Sequence, residues 1–377
     1  MPYKGTVLYI GGFELPDKNA AAQRVVGIAK SLRDLGYKVV FINAIKNCKE
    51  KKYEIKRYFG FKTIEYGRED SLDYLVGAFT VINHIKHIKP NIVIAYNYPA
   101  FSLSKINNYC KSNAIKCIAD VTEWYDAKDG NIIHRIIKKV DTECRMRYVH
   151  KKLSGIIAIS RYLYDYYKND LKTVMIPPTV DIADEKWNVP VNKSDKFTTF
   201  VYAGSPSAEK EKLDLVVDAI ETIARSKPVQ LNVVGITRNQ FIQMYSWKKE
   251  LSEYIVFWGR IDHKESLKIV KNADWSIVLR DNTRLVKAGF PTKLVESISC
   301  GTAIIANNFS NIIDYLTAEN SIIIDTDVQQ ALEKSCKAKK YPRTDLFDFH
   351  RYNFQVANCL ENSQINSNYL SLAKRDK

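Results

Sequence analysis

Apolar runs of strand length alternate with segments of helical period along this 377-residue chain. That alternation limits it to an α/β architecture with parallel sheets. The first unit sets the pattern. Residues 7–10 read as a strand, followed by Gly11-Gly12. Ala21, Val25, Ile28, Ala29, Leu32 and Leu35 then form one apolar face of a helix that ends at Gly36. A strand over 38–42 follows, with further strands over 91–95, 116–119 and 155–159. At Ile176-Pro177-Pro178 the pattern breaks, and the polar segment 183–197 reads as an interdomain linker. The alternation restarts over 199–203, 230–234, 255–258, 275–279, 302–306 and 321–324. Two doubly wound sheets follow, with an amino-terminal domain over 1–182 and a carboxyl-terminal one over 197–344. The tail, 345–377, has helical spacing and is expected to pack near the domain junction. Ligands of such sheets bind beyond the carboxyl ends of the strands, so two facing sheets place the crevice between the domains.

Charge and cysteine content narrow the setting. Seven dispersed cysteines without a Cys-x-x-Cys pair argue against a disulfide framework and against structural zinc. No signal peptide is read at the start, and no apolar stretch is long enough to span a bilayer, so a cytoplasmic location is expected. The net charge of +15 is uneven: residues 1–190 carry 31 Lys+Arg against 20 Asp+Glu, the rest 26 against 22. Such a surface suits phosphorylated substrates or anionic lipid; no nucleic-acid-binding motif accompanies it, and no nucleic-acid partner is expected.

The strongest local signal lies at Arg280 and at Lys287-Ala288-Gly289-Phe290-Pro291-Thr292-Lys293-Leu294-Val295-Glu296. A strand ends near Arg280, and Pro291 suits a first helical position in a helix closed by Gly301. Backbone N–H groups at such a helix start can hold phosphate oxygens, and Glu296 one turn on can accept from two ribose hydroxyls. A plain loop-to-helix connection with a solvated Glu296 is the competing reading.

The segment resembles the carboxyl-terminal signature of retaining glycosyltransferases of family 4, which have the GT-B fold. That signature carries two glutamates seven residues apart around a Gly-Phe turn. Glu296 matches the second; the first position holds Ala288. Tyr202-Ala203-Gly204-Ser205-Pro206 with Lys210 is similar to the family's strand-loop that sets a lysine on the donor diphosphate; Ser205 stands where an arginine is usual, and Lys212 is the understudy. Val233-Val234-Gly235 and Phe257-Trp258-Gly259-Arg260 match later strand ends, and Tyr9-Ile10-Gly11-Gly12 resembles the glycine loop facing the donor.

The resemblance implies a metal-independent, retaining transfer from a nucleotide sugar, which is a substrate; no cofactor is expected. Lys210 and Arg280 would stabilise the departing diphosphate, while Gly12, Gly204, Ser205, Lys212, Gly235, Arg260, Gly289, Phe290, Pro291, Thr292, Lys293, Leu294 and Glu296 would bind the donor. The segment from Asp120 to Glu123 closes a strand of the first domain, and Asp120 or Glu123 is expected to orient the acceptor, with loop capping as the alternative. Asp325 and Asp327 precede a helix and read as caps rather than as a metal-binding Asp-x-Asp.

The acceptor side is read from charge. Lys46, Lys49, Lys51, Lys52, Lys56, Arg57 and Lys62 interleave with Tyr53, Tyr58, Phe59 and Phe61, and a second basic stretch runs over 134–152. Both suit docking on anionic lipid, hence on the inner face of a membrane holding a lipid-linked saccharide acceptor, with a simply solvated charged face as the alternative. A nucleotide-sugar epimerase and a non-catalytic partner subunit remain the alternatives to a transferase of surface-polysaccharide type.

Overall fold

Runs such as Ile92-Val93-Ile94-Ala95 are apolar at successive positions because their strands are covered on both faces. The computed structural model describes residues 2–16, 18–46, 53–68, 77–125, 132–193, 196–206, 211–247 and 250–361. The first sheet contains β1 (Gly5–Gly11), β2 (Tyr37–Lys46), β3 (Glu54–Tyr58), β4 (Phe61–Arg68), β5 (Ile92–Tyr96), β6 (Lys116–Val121), β7 (Gly155–Ala158) and β8 (Thr173–Met175). Their order is β3-β4-β2-β1-β5-β6-β7-β8, and only β3 runs antiparallel to its neighbour. Its helices are α1 (Ala20–Asp34), α2 (Ala78–Ile88), α3 (Ala100–Ser112), α4 (Ile132–Cys144) and α5 (Arg161–Tyr167).

The second sheet contains β9 (Thr198–Ala203), β10 (Val229–Val234), β11 (Ile255–Gly259), β12 (Trp275–Val278), β13 (Ala303–Asn307) and β14 (Ser321–Ile324). All are parallel, in the order β11-β10-β9-β12-β13-β14. This is the dinucleotide-fold order, which reverses direction between β9 and β12 and opens a crevice there. In the first sheet the reversal falls between β1 and β5. The second sheet carries α6 (Leu213–Ile223), α7 (Arg238–Tyr245), α8 (His263–Asn272), α9 (Arg284–Ala288), α10 (Thr292–Ser299) and α11 (Val328–Ser335). Asp327 caps α11 by accepting the Gln330 N–H at 3.2 Å, as its position before a helix predicts.

Two elements differ from the sequence reading. The basic stretch expected to dock on lipid is in part the β3–β4 hairpin, turned at Phe59 (φ 52°) and Gly60 (φ 83°), a two-residue loop with both residues left-handed. Phe61 is buried beneath the Arg33 guanidinium, 5.0 Å from its ring, and Lys56 pairs with Glu54 and Glu65 at 2.8 Å each. Those groups are committed within the domain. Lys49, Lys51 and Lys52 lie outside the described residues, as does the side chain of Lys46. The second unread element is β8, three residues following a lysine.

The connection between the sheets is packed. Trp187 is buried, donates its indole N–H to the Asp181 carbonyl at 2.7 Å, and accepts Lys271 of α8 on its own carbonyl at 2.7 Å. The chain then returns: the Val180 N–H donates to Phe347 O at 2.9 Å and the Phe349 N–H to Val180 O at 2.8 Å. α12 (Asn353–Leu360) packs on α1 and β8, so the end of the described chain belongs to the first sheet. Residues 362–377 of the expected tail lie outside the described residues. Phe347, fully buried, packs its ring 5.2 Å from Tyr315 and 6.0 Å from Phe290. Phe347→Ala is expected to cost about 3–5 kcal/mol in chemical denaturation, because the cavity it leaves is locked between both domains. A loss below about 1 kcal/mol would show that the returning segment adds nothing to the junction.

Candidate functional site

The carboxyl ends of β9, β10 and β12 meet the amino-terminal turns of α1 and α10 around an open cleft of about 760 Å³. Gly204, Ser205, Gly235, Arg260, Arg280, Thr292, Lys293 and Glu296 line it from the second domain, and Lys18, Asn19, Ala20 and Gln23 from the first. The loops after β9 and β10 come together only because Gly235 has φ +105° and no side chain: a Cβ there would sit 2.3 Å from the Gly204 carbonyl oxygen. Gly27 does the same work on α1, where a Cβ would lie 2.4 Å from Thr179 Oγ1.

The strongest electrostatic feature is a buried carboxylate between two cations. Glu211 Oε1 accepts from the Arg280 guanidinium (Nη2 at 2.7 Å, Nε at 3.1 Å) and from Lys293 Nζ at 2.8 Å; the Tyr202 hydroxyl donates to Oε2. Burial raises the Glu211 carboxyl, but Lys293 and Arg280 outweigh it and hold the group at about 2. Burial likewise lowers the Lys293 ammonium, Glu211 raises it, Arg280 lowers it again, and it comes to about 8. Two cations on one carboxylate leave a net positive charge at the floor of the cleft. Lys293 is also in the first turn of α10, whose cap Pro291 makes no side-chain cap hydrogen bond. The helix thus begins one residue after the expected Pro291, and its leading amides add to the positive end.

Glu296 lies one turn along α10. Its Oε1 accepts Gln23 Nε2 at 3.0 Å from the opposite domain and meets His263 Nε2 at 3.0 Å. Burial would raise its carboxyl, but His263 and Gln23 hold it below the ordinary value. Gln23 therefore ties the two domains through the residue expected to receive a ribose.

A smaller chamber of about 190 Å³ adjoins the cleft, sharing Ala20, Arg280 and Thr292 with it. Arg24, Tyr96, Thr122 and Glu123 line it from the first domain; Leu285, Val286, Gly289 and Phe290 line it from the second. Arg24 was not legible as a site residue. It is nearly fully buried, fixed by Asp120 (Nε at 2.8 Å) and by the carbonyls of Ile176 (2.9 Å) and Pro177 (3.2 Å).

Of the expected residues, several take other places. Asp120 is fully buried, with Oδ1 on Arg24 and Oδ2 accepting the Tyr9 hydroxyl at 2.5 Å. It points inward because Arg24 needs a counter-charge, so it positions Arg24 rather than facing an acceptor. Lys212 pairs with Asp281 at 2.9 Å and does not line the cleft. Leu294 is fully buried on the sheet side of α10, and Pro291 is buried as its cap. Gly12 lines a separate recess with Phe13 and Asn43, which shares Lys18 and Asn19 with the cleft. Lys210 lies outside the described residues. Ala288 is fully buried, and its carbonyl accepts the Ser160 hydroxyl across the domains at 2.8 Å.

Residues 183–342 match the family model described as Glycosyl transferases group 1. Curated protein sequences gave no match. Among solved structures, sucrose-phosphate synthase from Thermosynechococcus elongatus is similar at 13% identity and TM-score 0.62, with 99% of this chain and 98% of that chain covered. Anabaena HepE in complex with UDP and glucose is similar at 12% identity and TM-score 0.62, covering 94% and 99%. The lipopolysaccharide outer core galactosyltransferase WaaB is similar at 16% identity and TM-score 0.62, covering 94% and 99%. The chain has the GT-B fold, and the family match supports glycosyl transfer.

One consequence of the Lys293 environment is measurable. The affinity of the cleft for a nucleoside diphosphate should fall as pH rises through about 8, because the free protein then loses the ammonium that the anion needs. Calorimetric titration between pH 6.5 and 9.5 should show that fall in the wild type and a flat response in Lys293→Met. An unchanged slope in the variant would place the anion elsewhere.

Proposed function

We propose that the chain is a retaining, metal-independent glycosyltransferase that moves a sugar from a nucleotide-sugar donor to a saccharide acceptor, lipid-linked, in surface-polysaccharide assembly. The observation that carries the reading is the Arg280–Glu211–Lys293 cluster at the start of α10, with Glu296 one turn further along. In this reading the diphosphate lies against Arg280, Lys293 and the leading amides of α10, and the ribose displaces Gln23 or His263 on Glu296. The transferred sugar enters the smaller chamber, where Glu123 faces it from the first domain.

The chemistry then needs charge stabilisation more than a nucleophilic side chain. The bond from the anomeric carbon to the diphosphate oxygen breaks, and the developing charge falls on the fixed cations. The acceptor hydroxyl attacks from the face the diphosphate leaves, and its proton passes to a departing phosphate oxygen. Closure of the two domains excludes water that would otherwise hydrolyse the donor. That UDP and glucose occupy HepE supports a nucleotide sugar of this kind as the donor.

Ala288 favours a second reading, a non-catalytic partner subunit. One assay separates the two. The purified chain is screened by thermal shift against a panel of nucleotide sugars, since a donor bound to the folded state stabilises it by mass action. Donors that stabilise are then tested for sugar transfer and for the anomer formed. Retained configuration is expected, and Arg280→Ala should lower turnover by about 10²–10³, the cost of removing one preorganised charge-stabilising group. Stabilisation without turnover would favour the partner subunit, and inverted product would end the retaining proposal.

A further inference from the structure

α4 is an inverted amphipathic helix. In an ordinary surface helix the apolar stripe faces the core. Here Ile132, Ile133, Ile136, Ile137 and Val140, spaced over two turns on one arc, are 73, 71, 57, 44 and 62% exposed. The helix is held to the body by its polar groups instead. Thr142 is buried, the Asp141 carboxylate accepts the Ala100 N–H at 2.8 Å, and Glu143 accepts the Trp124 indole N–H at 3.0 Å and pairs with Arg147. Five contiguous β-branched side chains turned to water are unfavourable for a free surface and mark an interaction face.

We infer that the isoleucine face of α4 is the element by which the chain docks on an anionic lipid bilayer. The charge around it argues for that occupant. Residues 132–152 hold seven Lys and Arg against two Asp and Glu, and both acids are spent in the inward contacts. Arg135 and Lys139 lie at the edge of the apolar arc and are exposed. An apolar face flanked by cations suits the headgroup boundary of an anionic bilayer and disfavours a second copy, which would bring the same charge. No helix among the described residues is long and apolar enough to cross a membrane, so attachment here would be by an interfacial helix. The carboxyl-terminal end of the described chain does not cover α4. α12 packs on α1, on the face of the first sheet formed by Val7, Tyr9 and Ile157, whereas α4 packs on α3, on the opposite face.

The location fits an acceptor held in that bilayer, a point that rests on the transferase reading. Glu143, at the carboxyl end of α4, lies 3.5 Å from Arg284, the first residue of α9, and α9 supplies Leu285 and Val286 to the smaller chamber. The basic stretch over 134–152 is thereby divided: Arg145 and His150 are buried structural groups, and the exposed apolar arc of α4 is the contact.

The test is flotation of the full chain with phosphatidylcholine vesicles, with and without 40% phosphatidylglycerol, at low and high salt. The expected result is binding to the anionic vesicles that weakens with salt, and a loss of at least tenfold in partitioning for Ile133→Ser/Ile136→Ser. Lys139→Glu should lose binding at low salt. Because these positions are exposed, both variants should keep the wild-type Tm and nucleoside-diphosphate affinity. Wild type that ignores anionic vesicles, or a double serine variant that binds as wild type, overturns the inference. So does a wild-type dimer in light scattering that the serine variant dissociates, which would assign the face to a second copy. If a chain ending at Glu361 binds vesicles and the full chain does not, the tail covers the face and the inference also fails. Nucleotide binding is measured separately, so failure of the docking surface and failure of the transferase reading give different results.

Discussion

The functional architecture turns on one carboxylate. Glu211 is nearly fully buried, and isolated in that position it would be strongly disfavoured as an anion. It persists ionised because Arg280 from the end of β12 and Lys293 from the start of α10 converge on it, with the Tyr202 hydroxyl completing its shell. Conversely, two cations this close would repel without it. The triad therefore fixes three separate loops relative to one another and leaves one unit of positive charge facing the cleft. An arrangement of this kind adds little to stability, since its desolvation cost offsets its attraction. In the proposed transferase its use would be preorganisation, with the cations aimed before a diphosphate arrives.

Around that centre, the domains are joined by contacts that differ in permanence. The return of the chain through Val180, Phe347 and Phe349 is built from buried rings and backbone hydrogen bonds. The contact between Gln23 and Glu296 is a single side-chain hydrogen bond at the mouth of the cleft. The first kind is buried and extensive, and the second is one hydrogen bond between polar side chains lining the cleft. A ligand that claims Glu296 need displace only the weak one.

The sequence made the two sheets legible because parallel strands buried on both faces are uniformly apolar, and their spacing by helices is regular. It made Glu296 and Arg280 legible because a strand end, a Gly-Phe-Pro turn and a helix lie consecutively along the chain. It hid what depends on distant pairing. Glu211 sits between Lys210 and Lys212, the two residues singled out for charge, and only its partners 69 and 82 positions away give it a role. Arg24 and Asp120 are the same case: each alone suggests a surface or cleft group, and together they neutralise one another inside the fold. The β3–β4 hairpin escaped because its strand residues are charged on the exposed edge and its turn is Phe-Gly rather than Asn-Gly.

The central claim is that the triad and the start of α10 grip a diphosphate while Glu296 receives the ribose. A crystal structure of the chain grown with a nucleoside diphosphate tests it most directly. The account predicts phosphate oxygens within hydrogen-bond distance of Arg280 and Lys293, with Glu296 released from Gln23 and turned to the ribose hydroxyls. A nucleotide bound away from the end of β12, with the Gln23–Glu296 contact intact, would contradict it.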